Sequence, residues 1–171
     1  SNTDIDYNNK LTIGKNIAYW ISPSCEYTTS IPNAKNRIMY PSGMSNPIIL
    51  WKTNVNSDSK MDFYQYYSND TVNAYAMCFR KNSNGVYYNC TSQKDSYDWV
   101  YGEIYINDRA MNSYSNNVRE IIIMHEMLHV YGCKDINNPN SIMHYNNAYF
   151  STKVNGLTSD ANQVLNNKYN Y

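Results

Sequence analysis

Between residues 16 and 107 the apolar positions fall in short runs dense in β-branched and aromatic side chains, the spacing of strands. After residue 117 they crowd into one long run free of proline and glycine, the mark of a helix. Residues 16–22 predict the first strand, and residues 48–51 and 61–67 two more. The stretch 31–47, with three prolines and a glycine, reads as irregular apart from a short helix over 33–40. Residues 72–79 and 86–90 flank Asn84-Gly85, a strong hairpin signal, and residues 99–106 predict the last strand. Asn117 with Glu120 three residues on forms a candidate capping box for a helix over 118–131. Gly132 is its expected left-handed stop. A second helix is expected from Thr158 or Ser159, with Asp160 in its first turn favoured by the macrodipole. Strands precede helices, so the class is α+β with a mixed, twisted sheet.

The length, 171 residues, suits one domain spanning 1–171, with residues 1–14 expected to be a flexible N-terminal segment. Lys+Arg and Asp+Glu both number 14, which argues against the clustered positive charge of a nucleic-acid binder. No apolar run approaches the length of a membrane span. The start of the chain lacks the basic and apolar regions of a secretory leader. A monomer is expected.

Within the long helix lies His125-Glu126-Met127-Leu128-His129. Residues four apart share a helix face, so both imidazoles can reach one ion, with the Glu126 carboxylate beside them. Taken alone, the pentapeptide is equally an amphipathic helix carrying two incidental histidines. Its continuation changes that balance. Gly132 follows His129 by three residues and Asp135 follows Gly132 by three, so the chain can turn out of the helix and swing a third ligand back. Asp135, His144 and Cys133 are the candidates for that ligand.

The array His125-Glu-x-x-His129-x-x-Gly132-x-x-Asp135, followed by Ser141-Ile-Met143-His144-Tyr145, resembles the metzincin clan of zinc endopeptidases. The aspartate at the third-ligand position is similar to snapalysins, while the stretch around Met143 is more like the methionine turns of astacins and matrixins. Residues 102–107 and 157–165 also resemble the strand before the active-site helix and the start of the C-terminal helix. The likeness covers about the last seventy residues. It implies a zincin fold with an active-site helix, a methionine turn and a C-terminal helix. It implies Zn²⁺ on His125, His129 and Asp135, Glu126 as general base, and Tyr145 stabilising the oxyanion. Met143 would be the apolar floor and Gly132 the structural turn. Protein or peptide would be the substrate, and Ala148, Tyr149 and Phe150 would wall an apolar specificity pocket. The alternatives are a non-catalytic zinc-binding domain and a narrow processing enzyme or aminopeptidase on the same scaffold. No EF-hand-like loop supports a structural Ca²⁺.

The four cysteines form no C-x-x-C pair, and their even number is compatible with two disulfides and a secreted protein. A two-residue Asn84-Gly85 turn would put Cys90 opposite Phe79. A three-residue loop, Ser83-Asn84-Gly85 with Gly85 left-handed, puts Cys78 opposite Cys90. The second register predicts a Cys78–Cys90 bridge and, by elimination, Cys25–Cys133. Four separate buried thiols are the alternative. A strand within 72–90 is also expected, by resemblance, to receive substrate by β-augmentation.

Overall fold

The computed structural model describes residues 4–146 and 153–171. Six strands are found among them: β1 (Asn16–Ile21), β2 (Ile49–Lys52), β3 (Ser59–Tyr66), β4 (Ala74–Lys81), β5 (Tyr87–Asn89) and β6 (Tyr101–Asn107). The helices are α1 (Ser30–Met39), α2 (Asp108–Met111), α3 (Asn116–Tyr131) and α4 (Ser159–Tyr169). The strands form one mixed sheet in the order β2-β1-β3-β6-β4-β5. The first four in that order run parallel, while β4 pairs antiparallel with both β6 and β5. The α+β class and the mixed sheet are those expected from the pattern.

Helices α1 and α3 pack against each other, and α3 lies on β4 and β6. Gly102 in β6 is what brings α3 that close, because a Cβ there would sit 2.7 Å from both methyls of Val130. Side chains alternate along a strand, so Gly102, Ile104 and Ile106 face the helix while Tyr101, Glu103 and Tyr105 face the other side. All ten residues of α3 from Ile121 to Tyr131 other than His129 are buried, so nearly its whole C-terminal half is core.

Two local expectations are corrected. The cap of α3 is Ser115, whose hydroxyl accepts from the Val118 N–H at 3.3 Å, and not Asn117. Glu120 does not reach back to the helix start, because Arg37 of α1 draws it into an ion pair at 3.2 Å. The N-terminal segment, expected to be flexible, is packed from Asp4 onward. Tyr7 N–H donates to the Gly132 carbonyl, Lys134 N–H donates to the Ile5 carbonyl, and Leu11 is fully buried beside Trp99. Lys168 of α4 fastens the same segment through an ion pair to Asp6 at 2.6 Å and a bond to the Asn9 carbonyl at 2.9 Å. The first helix also begins three residues before its expected start, and α2 had no counterpart in the pattern.

The hairpin has the three-residue loop: Asn82 pairs with Val86, Gly85 has φ +79°, and Cys90 N–H donates to the Cys78 carbonyl at 2.8 Å. Cys78 therefore faces Cys90, yet the expected bridges are absent and all four cysteines are buried free thiols. Burial pushes the Cys78 thiol up to about 11 and raises the other three as well. A protonated thiol is a poor nucleophile for disulfide formation. Cys25 and Cys133 are not joined. The former lies by Glu26, Tyr27 and Asp108, the latter by Asp6, Lys94 and Asp160.

Two measurements check these packing assignments. Ser115→Ala should lower stability by about 1 kcal/mol in denaturant unfolding, and Asn117→Ala by less than about 0.5 kcal/mol; the reverse order would restore Asn117 as the cap. Thiol-specific alkylation should leave the native protein unmodified and label all four cysteines once it is unfolded without reductant. A residual pair that reacts only after reduction would contradict the free-thiol assignment.

Candidate metal centre

Near the C-terminal end of α3, His125 and His129 stand one turn apart with ring centroids 4.6 Å from each other. Each imidazole is held from behind by a main-chain carbonyl. His125 Nδ1 lies 2.6 Å from the Ile142 oxygen and His129 Nδ1 lies 2.9 Å from the Cys133 oxygen. A carbonyl only accepts, so both Nδ1 atoms carry the proton and both Nε2 atoms are turned to the same point. Asp135 occupies that point: its Oδ1 is 3.0 Å from His125 Nε2 and 3.2 Å from His129 Nε2.

The path from helix to carboxylate depends on Gly132. Its φ of +118° ends α3, with its N–H shared between the Leu128 and His129 carbonyls. A side chain there would be strained, and its Cβ would lie 2.7 Å from Lys168 Cε. Beyond Asp135, Ile136 pairs with the turn at Met143 through its N–H to the Met143 carbonyl and its own carbonyl to the Tyr145 N–H, both 2.9 Å. Met143 is fully buried, its N–H bound by Ser141 Oγ, and the neighbouring Ile142 N–H is bound by Thr158 at the start of α4.

His125, His129 and Asp135 form a group that could hold a metal ion, their ligand atoms all within 4.8 Å of one another. Two imidazole nitrogens with fixed tautomers and one carboxylate oxygen suit zinc, and three protein ligands leave a position open. The other two candidates for third ligand are turned to different partners. His144 Nδ1 accepts from the Asn146 N–H at 3.3 Å, and Cys133 meets His129 with its carbonyl and not its thiol. Burial lowers the His125 pKa, but the Asp135 and Glu126 carboxylates outweigh that and raise it. Asp135 is desolvated, yet the two imidazoles hold its carboxyl well below the usual range.

Glu126 is buried, and desolvation pushes its carboxyl up against the opposing pull of the two histidines. It lines a cleft of about 300 Å³ together with the three candidate ligands and the exposed Tyr145. Ala74, Tyr75 and Ala76 of β4 form another wall. Strand β5 pairs only with Phe79–Lys81 of β4, so among the described residues the backbone from Ala74 to Met77 has an unpaired edge at the cleft. The expected pocket residues Ala148, Tyr149 and Phe150 lie outside the described residues.

Two cleft residues had no sequence signal. Lys94, in a loop of mixed polar residues, is only 3% exposed, and its ammonium donates to the His129 carbonyl. It sits over the rings of Tyr7 at 4.3 Å and Trp99 at 4.7 Å, a desolvated cation–π arrangement at the helix C-terminus. Tyr7 itself lines the cleft, and burial with the nearby Asp135 charge pushes its hydroxyl up to about 12.

Zinc at about one hundred times its Kd should stabilise the wild-type fold by about 2.7 kcal/mol in thermal unfolding. His129→Ala and Asp135→Ala should each lose that increment, and binding of one ion per chain in calorimetric titration should fall with it. Unchanged zinc stabilisation in both variants would place the ion elsewhere. No protein-family model and no curated protein matches this chain, so the geometry of the site carries the functional reading.

Proposed function

We propose that the chain is a zinc-dependent endopeptidase of metzincin type, cleaving peptide bonds in extended protein segments. The observation that carries this reading is the buried Glu126 carboxylate beside the His125–His129–Asp135 group, inside a cleft that ends at an unpaired strand edge. A purely structural zinc site closes all four positions with protein ligands and needs no such carboxylate. The sequence resemblance to the clan agrees with these features and with the buried Met143 in the turn that follows Asp135.

Held by His125, His129 and Asp135, a zinc ion would supply Lewis acidity toward the scissile carbonyl and a nearby water. The chain's own residues would do the rest. The free edge of β4 between Ala74 and Met77 would pair with the substrate backbone as an added strand, fixing the scissile bond over the cleft. Glu126 would accept a proton from the attacking water and return it to the leaving amine, a role favoured by a carboxyl raised through burial. Tyr145, exposed at the cleft rim, would donate its hydroxyl to the developing oxyanion.

Three outcomes test this. Cleavage of an unfolded protein should stop on chelation and return with zinc. Glu126→Ala should keep zinc-dependent stabilisation while turnover falls about 10²–10⁴-fold; full activity in that variant would end the peptidase reading, and zinc binding without any cleavage by wild type would favour a binding domain. Tyr145→Phe should lower kcat about 10²-fold with KM little changed, whereas raised KM at normal kcat would make Tyr145 a substrate-binding residue.

A further inference from the structure

The sheet face turned away from α3 carries a band of aromatic side chains. Tyr64 stacks on Tyr105 at 5.1 Å and Tyr105 on Tyr75 at 5.0 Å, while Tyr101 stacks on Phe79 at 4.7 Å and meets the edge of Tyr87 at 5.4 Å. Between the rings of Tyr64, Tyr87 and Tyr101 the surface opens into a pocket of about 260 Å³. Two carboxylates stand in it, Asp62 of β3 and Glu103 of β6, direct partners across the parallel ladder.

Asp62 is only 7% exposed, an uncommon place for a carboxylate without a counter-charge. Its hydrogen bonds come from neutral groups, the Ser59 hydroxyl and the Asn56 amide. Glu103 likewise accepts from a neutral donor, the Tyr105 hydroxyl at 3.0 Å. Among the described residues no Lys, Arg or His forms an ion pair with either carboxylate. Burial raises both carboxyls, and Asp62 raises Glu103 further.

We propose that this pocket binds the ammonium head of an organic cation, with the Tyr64, Tyr87 and Tyr101 rings as its walls and Asp62 and Glu103 as its counter-charge. A cation is attracted to the face of an aromatic ring, and the attraction strengthens as water is excluded. The rings are braced by their neighbours and need little reordering on binding. The volume lies below the ~300–1,000 Å³ of pockets for drug-sized ligands, so the pocket takes a headgroup and leaves the rest of the molecule outside. The site is on the face of the sheet away from α3 and does not depend on the metal-centre reading.

Choline and its neutral isostere 3,3-dimethyl-1-butanol are the probes, titrated into the whole chain and followed by NMR. Choline should saturate one site in the wild-type protein, and the isostere should bind about tenfold or more weaker, because it has the shape without the charge. Glu103→Gln and Tyr101→Ala should each weaken choline about tenfold, and Tyr101→Phe, which keeps the ring, should bind as wild type. Thermal melts of each variant establish that it is folded, and Tyr101→Phe with Glu103→Gln suffices if Tyr101→Ala is not. Equal affinity for the two probes, no saturation of the wild type, or a site that takes Ca²⁺ and refuses choline would each overturn the proposal.

Discussion

Both imidazoles of the centre are held from behind by carbonyls that belong to other parts of the chain, and the rest of the site depends on those two hydrogen bonds. One acceptor, Ile142, lies in the turn beneath the centre; the other, Cys133, lies just past the end of α3. A histidine on a helix is free to rotate about two bonds, and here that freedom is removed before any ion arrives. The acceptors must therefore be rigid in turn. Ile142 is fixed through Thr158 to the start of α4. The helix exit is fixed through Gly132, through the N-terminal segment paired with it, and through Lys168 reaching across from α4. Residues far apart in the chain thus share one task, keeping two Nε2 atoms and one carboxylate oxygen on a common point.

The parts of this arrangement written in local spacing were legible in the sequence. The i, i+4 pair of histidines, the glycine three residues on and the aspartate three beyond it are short-range signals with direct geometric meaning. The hairpin register was legible for the same reason, since loop length decides which residues face each other. Long-range competition was not. Glu120 looks like half of a capping box until Arg37, eighty-three residues away in the chain, takes its carboxylate. Lys94 sits in a loop with no pattern and becomes a buried cation only because Tyr7, Trp99 and the end of α3 converge on it. The oxidation state of the cysteines was also beyond reach, because register brings Cys78 and Cys90 opposite each other without deciding whether their thiols join.

The sheet separates two chemically different faces. On the side of α3, small and branched residues such as Gly102, Ile104 and Ile106 allow the helix to approach closely, and the histidines ride on that helix toward the part of β4 that β5 does not cover. On the other side the same strands present tyrosines and two carboxylates, with the rings stacked along the ladder instead of covered by a helix. The alternation of a strand makes this division automatic: each residue that closes the core fixes the outward direction of its neighbours. A protein rich in tyrosine but poor in charge can in this way build both a polar cleft and an aromatic surface on one scaffold.

X-ray absorption at the zinc edge of the zinc-loaded wild-type protein reads the donor atoms of the centre themselves. Two imidazole nitrogens and oxygen donors should appear at about 2.0–2.2 Å in a four-coordinate shell, with one position filled by an exchangeable small ligand. A sulfur shell near about 2.3 Å or a third imidazole would contradict the His125–His129–Asp135 assignment and the open site built on it.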